Sequence, residues 1–205
     1  MTQVVAQVVV LAGPSGSGKS RLAERLGLPV LRLDDFYKDG HDPTLPRITS
    51  GANAGITDWD DPRSWLCDDA VAAAVALCRD GAGDVPVYDI AHDGRTGWQR
   101  LDLAGAPYVV AEGIFAQEVV PHLEAEGLLA AAFCVRQAPA VTFWRRLVRD
   151  LREHRKPPLV LVRRGLALMR DQRHVVAHAV SLGCTPVLPD EAAAAVRALL
   201  EQVER

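Results

Sequence analysis

The chain has 205 residues, with 23 Lys and Arg against 26 Asp and Glu and a formal net charge of −3. This length is typical of one domain, and 49% hydrophobic with 24% charged residues excludes a disordered or fibrous chain. The apolar run at residues 4–12 is shorter than the ~20 residues of a membrane-spanning helix, so we expect no membrane segment. Four scattered cysteines without a C-x-x-C pair indicate reduced thiols and a cytoplasmic location.

Strands and helices are predicted in alternation. Apolar and β-branched runs predict strands at 4–12, 29–33, 85–90, 108–111, 130–135 and 185–188. Helical periodicity predicts helices at 18–26, 69–78, 118–126, 139–155, 159–182 and from 190 onward. The alternation is typical of an α/β fold, in which helices flank a doubly wound parallel sheet.

A phosphate-binding loop follows the first predicted strand. Residues 13–20 fit the pattern G-x-x-x-x-G-K-[ST] at each fixed position and open a predicted helix, which is the phosphate-loop NTPase arrangement. Its glycines let backbone N–H groups turn toward phosphate oxygens, and the helix N-terminus adds partial positive charge. Lys19 is placed to bridge the β- and γ-phosphates, and the Ser20 hydroxyl to ligate Mg²⁺. The predicted ATP-binding residues are Gly13, Ser15, Gly16, Ser17, Gly18, Lys19 and Ser20.

The class of phosphate-loop protein is narrowed by what the chain lacks. The guanine-reading pattern [NT]-K-x-D is absent, since the only asparagine is Asn53, and this argues against a GTPase. The chain is also short for a motor ATPase, which needs more chain to couple hydrolysis to motion. A small-molecule kinase is therefore favoured.

Carboxylates end two of the predicted strands. Asp34 and Asp35 follow the second strand, and Glu112 follows the strand at 108–111. Because the carboxyl ends of adjacent parallel strands converge on the ligand, these groups are expected near the γ-phosphate. Asp34 could accept a proton from an acceptor hydroxyl and support Mg²⁺, with Glu112 as a second metal contact. Asp35 is an alternative base or a turn cap.

A basic block lies in the C-terminal half. Residues 136–173 hold 11 Lys and Arg against 3 Asp and Glu, whereas the acidic remainder argues against a general nucleic-acid binder. On the helix predicted at 139–155, one flank could close over a triphosphate, and a second stripe is expected to face the core. The basic flank consists of Arg145, Arg149, Arg152 and Lys156. The apolar stripe consists of Val141, Trp144, Val148 and Leu151.

The order of these motifs resembles the uridine kinase family. The resemblance covers about residues 5–156, and family members phosphorylate the 5′-hydroxyl of uridine or cytidine with ATP and Mg²⁺. The segments that carry it are residues 13–20, Asp34-Asp35-Phe36-Tyr37, Trp59-Asp60-Asp61-Pro62, Val85-Pro86-Val87-Tyr88-Asp89, Glu112-Gly113-Ile114 and residues 145–150.

The resemblance implies roles for individual residues. Asp34 would be the general base, with Ser20, Asp34 and Glu112 around Mg²⁺. Lys19 and Arg149 would complete the catalytic set by contacting the phosphates. The implied acceptor contacts are Tyr37, Trp59, Asp60, Tyr88 and Arg146. The family's base-reading histidine, five residues after the Tyr88 position, is Asp93 in this chain, and His92 stands one residue before it.

We therefore expect a single phosphate-loop kinase domain at 1–205, with a substrate loop at about 38–62 and a basic lid at about 139–173. The expected acceptor is a pyrimidine nucleoside, and no nucleic acid or membrane partner is expected; a homo-oligomer stays open. Two alternatives remain: a kinase for a pantothenate- or sugar-like acceptor, or a non-catalytic nucleotide-binding regulatory protein. Asp171, His174 and His178 predict a surface helix face rather than a metal site.

Overall fold

A five-stranded parallel sheet forms the centre of the computed structural model, which describes residues 4–51, 54–138, 140–144, 148, 172–203 and 205. In chain order the strands are β1 (Gln7–Ala12), β2 (Val30–Arg32), β3 (Ala82–Asp89), β4 (Gly94–Asp102), β5 (Tyr108–Glu112), β6 (Leu129–Val135) and β7 (Thr185–Val187). The helices are α1 (Lys19–Leu26), α2 (Cys67–Asp80), α3 (Val120–Ala125) and α4 (Pro189–Val203). Residues 140–144 and 172–181 are also helical.

The sheet order is β2-β5-β1-β6-β7, with every neighbouring pair parallel, and this confirms the predicted doubly wound α/β fold. β1 lies at the centre, where its apolar run is buried on both faces. Val8 and Val10 pack with α2 and α3 on one face, and Val9 and Leu11 pack with α1 and α4 on the other. These two covered faces explain the continuous β-branched run, because a strand with one solvent-exposed face would have alternating apolar and polar residues.

A two-stranded antiparallel hairpin stands apart from the main sheet. β3 and β4 form it, and α2 packs beneath β3 through Leu77 and the buried Val85. The prediction of a strand at 85–90 was right about its conformation but wrong in placing it in the alternating parallel series. β4 was not predicted, because most of its side chains face solvent and give no apolar period.

The predicted apolar core stripe of the basic helix is wrong for its three described members. Val141, Trp144 and Val148 are 36%, 62% and 40% exposed, and Leu151 lies outside the described residues. The residue of this helix that faces the protein is Thr142, which is buried and donates a hydrogen bond from Oγ1 to Gln172 Oε1 over 2.8 Å. A polar pair therefore occupies the inner face, and the helix is rotated relative to the hydrophobic pattern. Among the described helices, none has the length and apolar character needed to cross a bilayer.

Trp65 joins the end of β2 to the segment that precedes α2. Its ring is buried, lies 5.9 Å from that of Phe115, and its Nε1–H donates to the Leu33 carbonyl over 2.6 Å. Leu33 begins the short 3-10 turn Leu33–Phe36. The tryptophan therefore fixes the segment that carries Asp34 and Asp35.

We expect Trp65→Phe to lower the free energy of unfolding by about 1–3 kcal/mol, because it leaves the buried Leu33 carbonyl without its donor. Chemical denaturation followed by circular dichroism measures the change. Trp98→Phe is the matched control, since Trp98 is 61% exposed on the hairpin, and it should change stability by no more than about 0.5 kcal/mol. Equal losses in the two variants would contradict the role given to the Trp65 hydrogen bond.

Candidate active site

The phosphate-binding loop connects β1 to α1 in a conformation that requires glycine. Gly13 has φ of +130°, and a Cβ there would lie 2.4 Å from the Val135 carbonyl oxygen of β6. Gly16 has φ of +85°, and its Cβ would lie 2.7 Å from the Thr142 carbonyl oxygen. Both positions are in the left-handed region and also pack against backbone, so any side chain would open the loop.

Lys19 folds back over this loop instead of extending into solvent. It is 6% exposed, and its Nζ donates to the carbonyl oxygens of Gly13 over 2.7 Å and Pro14 over 3.3 Å. A buried ammonium is costly unless it is paired or hydrogen-bonded. The two carbonyls and the nearby carboxylate of Glu112 supply that compensation, and they hold positive charge at the mouth of the loop.

Ser20 and Glu112 meet at the adjacent strand end. Ser20 Oγ donates to Glu112 Oε2 over 3.1 Å, although the two residues are 92 positions apart in the chain. The parallel register pairs Glu112 with Leu11 of β1 and with Arg32 of β2, which places it between the two segments that the site requires. Burial raises the pKa of Glu112, and the Lys19 ammonium opposes this shift only in part.

Asp34, which follows β2, lies near Glu112 at the end of β5. Its Oδ1 accepts a hydrogen bond from the Ile114 N–H over 2.9 Å, and in the described part of the chain Oδ2 has no hydrogen-bond partner. A Cβ at Gly113 would lie 2.8 Å from Asp34 Oδ1, so the glycine after Glu112 admits the carboxylate. Asp35 instead accepts the Tyr88 N–H over 3.4 Å, and burial raises its pKa. The two neighbouring aspartates therefore have different hydrogen-bond donors, the Ile114 N–H for Asp34 and the Tyr88 N–H for Asp35.

Three of the predicted acceptor contacts form one aromatic cluster. The ring of Tyr37 lies 5.6 Å from that of Trp59 and 5.9 Å from those of Tyr88 and Phe115. The Tyr37 hydroxyl donates to the Trp59 carbonyl over 3.1 Å, and the Tyr88 hydroxyl donates to the Lys38 carbonyl over 3.3 Å. The Tyr88 hydroxyl thus ties the hairpin to the start of the predicted substrate loop, and the Tyr37 hydroxyl ties the turn after β2 to the end of that loop.

The hairpin end departs from the arrangement that the resemblance implies. Asp93, at the position of the expected histidine, has φ of +45°, and its carbonyl accepts the Gly40 N–H over 2.6 Å. His92 is exposed, and its Nδ1 lies 2.6 Å from Asp89 Oδ2. This part of the hairpin is engaged in contacts within the protein.

A cavity of about 330 Å³ opens beside the phosphate-binding loop. Residues 13–15 form one wall, Asp60 and Pro62 a second, residues from Ile114 to Glu118 a third, and helical residues at 142–143 and 172–178 a fourth. Of the predicted acceptor contacts, Asp60 lines this cavity directly, next to the loop that would present the phosphate. The aromatic cluster touches it through Phe115.

Sequence reasoning missed several residues that line the cavity. Gln117 and Glu118 come from the 3-10 turn Ala116–Val119, and His174 and His178 come from the helical residues 172–181. The i, i+4 spacing of the two histidines was a signal of a shared face, but not of what that face meets. Gln117 belongs to no motif and carried no such signal.

Most of the predicted basic lid cannot be placed. Arg146 and all of residues 149–171, including Arg149, lie outside the described residues. Their roles stay predictions.

We expect Glu112→Gln to raise the melting temperature at neutral pH. Burial raises the pKa of Glu112 above its ordinary 4.5, so ionising the Glu112 carboxyl lowers the free energy of unfolding. The variant removes that cost, while its amide oxygen can still accept from Ser20. The difference between variant and parent should shrink as the pH falls through and below 4.5, because the parent carboxyl then becomes protonated in both folded and unfolded states.

Thermal unfolding from pH 4 to 8 measures this difference, and Glu24→Gln on the exposed side of α1 is the control. A difference between Glu112→Gln and the parent that stays constant over this range would show that Glu112 is not destabilised by its burial.

Comparison with known proteins covers most of the chain. The model of the phosphoribulokinase and uridine kinase family matches residues 8–157. The chain is 33% identical to an inorganic pyrophosphatase of Arabidopsis thaliana and 29% identical to a uridine kinase of Saccharomyces cerevisiae, in each case over 116 residues, or 53% of this chain. These matches span 16% and 22% of those longer proteins, so the chain corresponds to less than a quarter of either.

A solved structure extends the likeness to the whole fold. A candidate fructose transport system kinase from Silicibacter sp. TM1040 superposes with a TM-score of 0.62 and covers 84% of this chain and 85% of that one, at 20% identity. This likeness shows the phosphate-loop α/β fold. With the family model matched over 150 residues that include the phosphate-binding loop, Asp34 and Glu112, the chain belongs to the phosphoribulokinase and uridine kinase family.

Proposed function

We propose that this protein transfers the γ-phosphoryl group of ATP to a hydroxyl of a small molecule, with a pyrimidine nucleoside as the acceptor. One observation carries the proposal. The Ser20–Glu112 hydrogen bond of 3.1 Å and the Asp34 carboxylate lie at the same end of the sheet, where the phosphate-binding loop borders a cavity.

The arrangement supports catalysis rather than nucleotide binding alone. A passive binder needs the loop amides, Lys19 and Ser20. It does not need a carboxylate held by Ile114 N–H, with one oxygen unpaired among the described residues, beside a cavity that a second molecule can enter. That carboxylate is placed to take the proton of an attacking hydroxyl, and such a general base contributes about 10²–10⁴-fold to a rate.

The residues also fit Mg²⁺ bound together with ATP. Ser20 Oγ and Glu112 Oε2 are hard oxygen donors 3.1 Å apart, with the carboxylate of Asp34 close by. Within the described residues, no group of three His, Cys, Asp or Glu forms a metal site. Mg²⁺ is usually held by one or two carboxylates and completes its shell with phosphates and water, and Asp34 and Glu112 supply that number. When bound, the ion would spread the negative charge of the transferring group.

Lys19 and the loop would hold the nucleotide. The loop amides and the start of α1 face the phosphates, and Lys19 would exchange its contacts with the Gly13 and Pro14 carbonyls for phosphate oxygens. Arg149 of the predicted lid would close over the same group, and Arg146 would contact the acceptor.

A nucleoside is favoured as acceptor because Asp60 in the cavity wall and the ring cluster of Tyr37, Trp59 and Tyr88 supply carboxylate and aromatic contacts. The yeast relative is a uridine kinase, which agrees with this choice. The engaged hairpin end at Asp93 favours, as a second candidate, an acceptor that has no base, such as a free sugar.

An acceptor screen tests the proposed function. Purified protein, Mg²⁺ and ATP are incubated with uridine, cytidine, D-ribose, D-fructose or pantothenate, and ADP release and the phosphorylated product are measured. Phosphorylated uridine or cytidine supports the proposal, and phosphorylated sugar supports the second candidate. Acceptor-independent ADP release alone would contradict both.

We expect Asp34→Asn to lower acceptor phosphorylation by at least ~100-fold, because it removes a base that contributes about 10²–10⁴-fold. ATP binding, measured by titration on the same sample, should change little, since Lys19 and Ser20 remain. Asp35→Asn is the matched neighbour and should lose less than about ten-fold, since an amide oxygen can still accept the Tyr88 N–H. If Asp34→Asn keeps activity within a few-fold of the parent, Asp34 is not the base and Asp35 becomes the candidate.

We expect Arg149→Ala to lower kcat more than it raises KM for the acceptor. Its guanidinium would meet charge that develops on the transferring group, and such contacts act in the transition state. Steady-state kinetics in both substrates measure the split, with Arg197→Ala on the exposed face of α4 as control. An effect confined to the acceptor KM would move Arg149 into the acceptor pocket.

A further inference from the structure

One wall of the cavity carries a buried amide that is only half satisfied. Gln117 lines the cavity and is 3% exposed, and its Nε2 donates to Glu118 Oε1 over 3.2 Å. Its Oε1 is buried without a hydrogen-bond partner in the part of the chain that the structure describes. An unsatisfied buried carbonyl costs free energy, and nearly all such groups in folded proteins find a donor.

The neighbouring hydrogen bond between Glu118 and His178 determines which end of the amide stays unsatisfied. Glu118 Oε1 also lies 2.7 Å from His178 Nε2, which joins the 3-10 turn to the helical residues 172–181. A carboxylate only accepts hydrogen bonds, so Gln117 must turn its NH₂ group toward Glu118. The carbonyl oxygen is then the group left for another partner, and that partner has to be a donor.

The charges around the cavity indicate what kind of molecule supplies the donor. Among the described residues that line it, Asp60 and Glu118 are carboxylates and none is Lys or Arg. An acceptor with a carboxylate or phosphate group next to Asp60 or Glu118 would be repelled by their like charge, which is unfavourable. A neutral molecule rich in O–H or N–H groups meets acceptors at Asp60, Glu118 and Gln117.

We propose that Gln117 is a specificity-determining residue whose Oε1 accepts a hydrogen bond from a non-reacting O–H or N–H of an uncharged acceptor, with the Glu118–His178 pair fixing the orientation of the amide. The proposal rests on the proposed function and narrows it to neutral nucleosides or sugars. It places recognition in the cavity wall after β5, in addition to the aromatic cluster.

Gln117→Leu tests the proposal, because leucine keeps a similar volume and removes the carbonyl. With uridine as the probe, or with the sugar that the screen identifies, the acceptor KM should rise about ten-fold, in keeping with the loss of one buried hydrogen bond. The ATP KM and the melting temperature should change little. Gln99→Leu, the same substitution at an exposed position of β4, is the control and should leave all of these values unchanged.

Acceptor analogues separate recognition from a general effect on folding. Wild type and Gln117→Leu are compared on 2′-deoxyuridine, 3′-deoxyuridine and 3-methyluridine, or on the matching deoxy sugars. The analogue that lacks the recognised donor should be discriminated against by wild type and not by Gln117→Leu, so the two losses are not additive. Full additivity for every analogue, or an unchanged acceptor KM in Gln117→Leu, would overturn the proposal, as would pantothenate as the favoured acceptor.

Failure of the proposed function gives a different result. In that case wild type phosphorylates no acceptor, and calorimetric titration of uridine in the presence of ADP decides the remaining point. Uridine binding that Gln117→Leu weakens would preserve the assignment of Gln117 without the transfer reaction, whereas equal binding or no binding in wild type would overturn it.

Discussion

The parallel register of three strands is the constraint on which the site depends. Glu112 pairs with Leu11 of β1 on one side and with Arg32 of β2 on the other. Neighbouring strands lie about 4.8 Å apart, so the loop after β1 and the turn after β2 begin within a side chain's reach of Glu112. A shift of one strand by a single residue would turn Glu112 to the other face and separate it from Ser20.

The register brings together charges that the fold would not otherwise tolerate. Lys19 and Glu112 are both buried, and the burial raises the pKa of the glutamate. The glycines of the loop add conformations that any other residue would resist. Stability is therefore reduced at the proposed phosphate and metal site, which is common at functional sites. The apolar strands on either side, with Val8 to Ala12 fully buried, offset this cost.

The parts that the sequence predicts well are those fixed by local pattern. The strand, loop and helix at residues 7–26 depend on a buried β-branched run and a glycine-rich loop, and both can be recognised in the amino-acid sequence. The hairpin strand β4 was missed because most of its side chains face solvent and give no apolar period. The orientation of Thr142 was missed because its hydrogen-bond partner Gln172 lies 30 positions away in the chain. The cavity is a still stronger case, since Glu118 and His178 are 60 positions apart and neither belongs to a motif.

The residues that the sequence predicts well are those proposed to handle phosphate, and the residues that it misses are those proposed to recognise the acceptor. Phosphate handling needs one geometry, so its residues are carried by strand ends and a loop of fixed sequence, and they can be recognised in a chain of unknown substrate. Acceptor recognition needs only a wall of suitable shape and polarity, and the wall we propose for it joins the turn after β5 to helical residues far along the chain. The Glu118–His178 hydrogen bond joins the two, and the Thr142–Gln172 hydrogen bond joins the helical segments to each other. In the proposed arrangement the acceptor changes through this wall while the reaction at the sheet edge stays the same.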